Sequence, residues 1–183
     1  EEVLGYYVLN EDNTTYTLYI QADGKIRLNP DSSHFFQGTF TEVRGMKNVD
    51  TSYVTNMTSM FEYSPVINID LQYMDTSNVT NMLNTFHGSY FTELDLSNWK
   101  TDNVTDMYYM FAEMYDLTNL NIEGWNTQNV TDMESMFMWN SNLTTIKYGN
   151  SFIKNKNATI TNMFYDCPAN KPSHSSWKGV SFN

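Results

Sequence analysis

Three apolar columns recur in step along this chain of 183 residues, and nothing else in the sequence restricts its fold as much. Val54, Val79, Val104 and Val130 stand 25, 25 and 26 residues apart. Met57, Met82, Met107 and Met133 keep that spacing, and so do Phe61, Phe86, Phe111 and Phe137. Upstream in each unit lies a short alternating run: Ile69-Asp70-Leu71, Leu94-Asp95-Leu96, Leu120-Asn121-Ile122 and Ile146-Lys147-Tyr148. A tandem period of about 20–50 residues marks a solenoid, propeller or array. One unit cannot seal its own apolar face, so the core closes only when each unit is laid on the next.

The pieces of a unit predict its local structure. In Leu94-Asp95-Leu96 the leucines point inward and Asp95 outward, as along a strand. Val104, Met107, Met110 and Phe111 fall at i, i+3, i+6 and i+7, which predicts about two turns of helix with one buried face. Asn103 with Asp106, and Asn129 with Asp132, stand where such helices would be capped. The unit reads as strand, polar turn, short helix and return. The second unit departs from the pattern, with Thr85 where its neighbours carry Met60, Met110 and Met136, and Leu83 is expected to help fill the space.

Residues 1–30 lie outside the repeat. A strand from Val3 to Leu9, a turn at Asn10–Asn13, a strand from Tyr16 to Ala22 and a tight turn at Asp23-Gly24 into Lys25–Leu28 predict a three-stranded antiparallel meander. It would cap the open apolar end and strand edge of the first unit. The repeat is expected over residues 31–167, in about five coils. Residues 168–183, with Pro172, Trp177 and little periodicity, read as a C-terminal cap or the start of a linker, all within one structural domain. A hydrophobic fraction of 40% is enough for a real core. No apolar run approaches the ~20 residues of a membrane span. No signal-type stretch opens the chain, so any targeting or anchoring sequence is expected outside these residues. One cysteine excludes an internal disulfide framework and a clustered-cysteine zinc site.

The segments MKNVDTSYVTNMTSMF, MDTSNVTNMLNTF, LDLSNWKTDNVTDMYYMF and WNTQNVTDMESMF resemble a known repeat. It is that of BspA-like leucine-rich-repeat surface proteins, also called bacterial surface 26-residue repeats, common on Gram-positive bacteria. The likeness covers about Val43 to Cys167. Cys167 follows Phe164 by three residues, where such repeats often carry a cysteine, while Ser64, Ser89, Met114 and Asn140 stand there in earlier units. The resemblance implies an α/β repeat solenoid: a leucine-rich-repeat-like right-handed coil of short parallel strands and short helices, with the N-terminal meander as its cap. It also implies a secreted or wall-anchored protein concerned with adhesion to host matrix proteins, mucus or other microbes.

Charge points independently to binding. From Asn48 to Ile146 there are 13 Asp and Glu against one basic residue, Lys100, whereas Lys147 to Asn183 hold five lysines against Asp166 alone. Such a field repels nucleic acid and anionic bilayers and favours cationic partners; as a bland alternative, it simply keeps the surface soluble. On the expected sheet face, Asn68, Asp70, Glu93, Asp95, Asn119, Asn121, Glu123 and Lys147 form an outward ladder. Carboxylates stacked one strand apart repel, so these residues are the first candidates for contact with a basic or polyhydroxylated partner. Tyr108, Tyr109, Tyr115 and Trp139 are the second, able to stack on sugars or anchor a protein. Trp99 and Trp125 occupy equivalent places and read as an internal ladder.

Polar columns have structural readings. Thr51, Thr76, Thr101 and Thr127 suggest Thr–Thr bonds between coils, and Asn78, Asn103 and Asn129 suggest helix caps. A calcium site built from Asp50, Asp75, Asp102, Asp106 and Asp132 is the sharper alternative, but no spacing matches a dense calcium loop, and no cofactor is expected. His34, His87 and His174 lie in unrelated settings without a nucleophile motif, and Cys167 reads as an apolar filler. The expectation is a non-enzymatic, monomeric cell-surface adhesin, extracellular on a bacterium. Its partner would be a host protein or glycoprotein of the fibronectin, fibrinogen or mucin class, with no nucleic acid and no membrane insertion. A stalk presenting another domain, or a glycan-active enzyme, are the alternatives.

Overall fold

The computed structural model describes residues 4–9, 16–21, 24–38 and 42–182. Two strands, β1 (Leu4–Leu9) and β2 (Tyr16–Gln21), pair antiparallel from Leu4↔Gln21 to Leu9↔Tyr16. The next, β3 (Ile26–Arg27), does not extend that hairpin. It pairs in parallel with β5 (Val49–Asp50), Ile26 opposite Val49, and Leu28 N–H donates to Asp50 O at 3.0 Å. The expected three-stranded meander is therefore a two-stranded hairpin followed by a strand that takes its hydrogen bonds from the repeat. The turn expected at Asn10–Asn13, and Asp23 of the second turn, lie outside the described residues.

Further strands pair in parallel, one unit against another. They are β4 (Glu42–Val43) with β6 (Asn68–Ile69), and β7 (Glu93–Asp95) with β8 (Asn119–Ile122) and then β9 (Thr145–Tyr148). Leu94, Leu120 and Ile146 stand in register and are buried. A second ladder, of single bridges, runs through Asp31, Asn56, Asn81, Asp106, Asp132 and Thr159. Asn78, Asn103 and Asn129 each donate from Nδ2 to a backbone carbonyl of the preceding unit, at 2.7–2.8 Å. They tie units together and cap no helix.

No α-helix forms among the described residues; the only helical elements are three-residue 3₁₀ turns at Met46–Asn48, Leu71–Tyr73 and Ser175–Trp177. This overturns the expected leucine-rich-repeat-like solenoid of strands and helices. The reason lies in two left-handed backbone positions per unit, two residues before and two after each core phenylalanine. Tyr109 (φ 54°) and Glu113 (φ 59°) flank Phe111, and Ser59 and Tyr63, or Ser135 and Trp139, do the same in other units. Between these points the chain makes successive tight turns: Met110 N–H bonds to Met107 O and Ala112 N–H to Tyr109 O. The alternate amides of Met107, Tyr109, Phe111 and Glu113 donate to Asp132, Glu134, Met136 and Met138 of the next unit, at 2.8–3.1 Å. A helix would use those donors internally; here they join neighbours, and their bonds offset the ~1–2 kcal/mol that a left-handed L-residue costs.

The turns present the same side chains inward that a helix would. Phe36, Phe61, Phe86, Phe111, Phe137 and Phe164 stack as one ladder, with successive centroids 4.9–5.7 Å apart and planes within 25°. Met57, Met82, Met107 and Met133 are fully buried beside it, as are Trp99 and Trp125, whose indole N–H groups bond to Leu71 O and Leu96 O. Thr85 is buried with its hydroxyl against Met57 O and Met82 O. Leu83 is only half-buried there. Phe91, which stands where other units carry Val66 and Leu117, packs edge-on against Phe61 and Phe86 and adds an aromatic ring to the core of this unit.

Candidate functional site

Among the described residues, sheet pairing breaks in the column of strands that runs from β4 through β6 to β7, β8 and β9. β6 is joined to β4 and β7 to β8, but no ladder joins β6 to β7 among the described residues. The chain leaves extended geometry at Asp70 (φ −79°, ψ 75°) and enters the 3₁₀ turn Leu71–Tyr73, whereas the matching Leu94-Asp95 of the next unit stays in strand. Leu71 is still buried at the core edge. The two units remain tied on either side of the gap by Tyr90 N–H to Ser64 O (3.4 Å) and by Asn98 Nδ2 to Gln72 O (2.8 Å).

A groove of about 510 Å³ opens in that gap. Ile67, Ile69, Phe91 and Leu94 supply its apolar lining, and Asp70, Glu93 and Asp95 its acidic groups. Ile67 is 63% exposed, an unusual state for an isoleucine beside a packed core. The Asp95 carboxylate is held below its ordinary range chiefly by bonds from the Ser97 side chain and backbone, with Asn121 and Lys147 adding to the effect. Asp70 is exposed, and among the described residues no hydrogen bond or ion pair engages its carboxylate.

The other sheet-face candidates lie elsewhere on the same surface. Asn68 donates to Glu42 on the far side of β6. Asn119 donates to Glu93 Oε1 at 3.0 Å, and Asp95, Asn121 and Lys147 stand in register across β7, β8 and β9. The expected stack of like charges is thus interleaved with amides and a lysine. Asn121 Oδ1 accepts Glu123 N–H, and Glu123 is exposed at the edge. The threonine column is also wired differently from expectation: each hydroxyl bonds the backbone of the next unit, not another threonine.

Of the aromatic candidates, Tyr108, Tyr109 and Trp139 are half-buried and Tyr115 is 54% exposed. Tyr108 and Tyr109 pack with centroids 4.5 Å apart, and Tyr115 OH donates to Glu113 at 3.4 Å. Tyr109 also meets the edge of His87, a residue the sequence left without a setting. His87 is 9% exposed and bracketed by the units on both sides: Nδ1 lies 3.0 Å from Glu62 Oε1, and Nε2 lies 3.3 Å from Glu113 Oε1. Tyr63 closes the cluster, its OH 3.4 Å from Nε2. The one available signal was the spacing, since Glu62, His87 and Glu113 fall 25 and 26 residues apart.

The cluster is organised around the imidazole. The carboxylates face opposite ring nitrogens, so they bracket the imidazole and do not converge on one point. Among the described residues, no group of three His, Cys, Asp or Glu could hold a metal ion. Asp50, Asp106 and Asp132 each accept a backbone N–H two residues on, closing turns. Cys167 is buried, which pushes its thiol upward, and Lys171 Nζ is bonded to Cys167 O and Ala169 O. No helix among the described residues is long and apolar enough to cross a membrane.

Residues 31–145 and 95–181 match the family described as "Mycoplasma protein of unknown function, DUF285". No curated protein and no solved structure matches the chain. These overlapping matches span every complete repeat and most of the sequence, so the chain belongs to the DUF285 family.

Proposed function

We propose that this chain is a non-catalytic binding module of a bacterial surface protein, working in adhesion. It would hold an extracellular host protein or glycoprotein of the fibronectin, fibrinogen or mucin class. The observation that carries the reading is the groove between β6 and β7, where an apolar lining and three acidic side chains are left open beside the β7-β8-β9 sheet. A gap of that kind has no role in stacking the units, and the acidic body around it attracts cationic surfaces. The resemblance to BspA-like surface repeats supports the same reading.

Immobilised fibronectin, fibrinogen and mucin, probed with the purified chain by surface plasmon resonance, test it. Binding to at least one, reduced about tenfold or more by the combined substitutions Asp70→Asn, Glu93→Gln and Asp95→Asn, is the expected result. Absence of binding across the three would overturn the reading in favour of a spacer, for which the inter-unit hydrogen bonding of the backbone speaks.

A further inference from the structure

Resting on that reading, we infer that the groove between β6 and β7 receives arginine side chains of an extended partner segment. The two units are tied on both sides of the gap, by Ser64–Tyr90 and Gln72–Asn98. A partner strand therefore cannot wedge between them as a new sheet member. It lies over the gap and sends side chains in.

The walls specify which side chains. An aliphatic stem fits against Ile67 and Ile69, and a cationic head then meets Asp70, Glu93 and Asp95. Arginine suits this mixture better than lysine. Its guanidinium is planar, more weakly hydrated and able to bond a carboxylate through two N–H groups at once, so it loses less on leaving water for an apolar wall. Glu93 is already approached from one side by Asn119, and Asp95 by Ser97 and Lys147, which hold these carboxylates in place while leaving oxygens for the partner. Asp70 is unengaged among the described residues and is the primary contact. Several acidic groups elsewhere are engaged: Asp102 accepts from Asn126, Asp50 from Arg27 and Ser52, and Glu62 and Glu113 lie 3.0 and 3.3 Å from the two ring nitrogens of His87. The negative body steers the segment in; the groove recognises it.

The test uses a fluorescein-labelled nonapeptide alternating arginine and threonine, and a second in which citrulline, uncharged but of the same shape, replaces arginine. Fluorescence anisotropy with the full chain should show binding of the arginine probe that weakens as salt rises. Citrulline, or the triple substitution Asp70→Asn, Glu93→Gln, Asp95→Asn, should each weaken it about tenfold or more. Asp70→Asn alone, at an exposed side chain, should weaken it several-fold with the thermal melt unchanged, which covers the case in which the triple variant folds poorly. A control, Asp102→Asn with Asp116→Asn, should stay within about twofold. The inference is overturned if the citrulline probe binds equally, or if the control loses as much as the groove variant. Groove-dependent binding to the matrix proteins alongside a silent arginine probe would sink this inference alone. Loss of both would sink the adhesion reading with it.

Discussion

Thr76 Oγ1 donates to Lys100 O at 3.0 Å and accepts the N–H of the same residue at 2.7 Å. One hydroxyl thus satisfies both backbone groups of a residue in the next unit, from a position 1% exposed. Thr51 does the same for Asp75, Thr101 for Asn126 and Thr127 for Ile153. Valine matches threonine in shape but leaves a backbone donor and acceptor without partners. Thr76→Val should cost about 1–3 kcal/mol. Thr80→Val, removing an exposed hydroxyl bonded to Thr55 O at 3.2 Å, should cost less than about 0.5 kcal/mol. Urea unfolding followed by circular dichroism separates the two; equal midpoints would show that the threonine column does not join the units.

Gly149 permits a close approach between units. A Cβ there would sit 1.8 Å from Glu123 O, and one at Gly124 would sit 1.9 Å from Ser97 O, backbone atoms with no rotamer to relieve the clash. Gly149→Ala must push β9 away from β8 or distort the turn after it, at a cost of about 2–4 kcal/mol. Gly179→Ala has open space but a left-handed backbone (φ 81°) and should cost about 1 kcal/mol. Thermal melts of both variants would reveal the order, and a melting point for Gly149→Ala above that of Gly179→Ala would contradict it.

Burial was legible in the sequence because a tandem array repeats its inward positions. The Val, Met and Phe columns, and Trp99 with Trp125, are all in the core. Backbone path was not, because Met107, Met110 and Phe111 satisfy a helical spacing and a series of tight turns equally well. The distinguishing residues were present but diluted: Asn84, Gly88, Asn162 and Asp166 occupy left-handed positions, where such residues are at ease, but Tyr109 and Trp139 share those columns and obscure them. Asp70 reads like Asp95, and only the backbone shows that its strand ends, so the groove had no sequence signature. His87 stayed hidden for a different reason, since each of its carboxylates arrives from another unit.

Breaking that histidine bracket should weaken the stack across three units. A neutral imidazole has one N–H, so it can donate to Glu62 or to Glu113 but not to both; the imidazolium donates to each. His87→Ala removes every such bond and leaves the two carboxylates with no ring between them. The expected loss is about 2–3 kcal/mol. His34→Ala, deleting an exposed ring bonded to Gln37, should change stability by less than about 0.5 kcal/mol. Adding Glu62→Gln and Glu113→Gln to His87→Ala should restore part of the loss by removing the uncompensated charge. A triple variant no more stable than His87→Ala would show that packing, not charge, is what His87 contributes.

The bridge between Asp106 and Asp132 places two carboxylates in register on a ladder whose two preceding positions are Asn56 and Asn81. Burial, and then Asp132, raise Asp106 above its ordinary range, although the bond from Tyr108 N–H works against them. In the first bridge of the same ladder Asn56 Nδ2 donates to Asp31 Oδ1 at 3.0 Å, and Asp31 is held below its range, chiefly by Ser33. Asp132→Asn reproduces that pairing one unit after Asp106 and keeps the acceptor for Glu134 N–H. It should stabilise the chain by about 0.5–1 kcal/mol at pH 7. The sign with pH follows from the raised carboxyl. The folded chain binds the Asp106 proton more readily than the unfolded one, so the penalty is complete above the raised value and fades as pH falls towards the unfolded value of about 3.9. The gain from Asp132→Asn should shrink over the same interval, and the remaining penalty of burial should persist at neutral pH. Melting curves of both proteins from pH 7 down to pH 4 check this; a gain that grows on acidification would mean that Asp106 is not the group relieved.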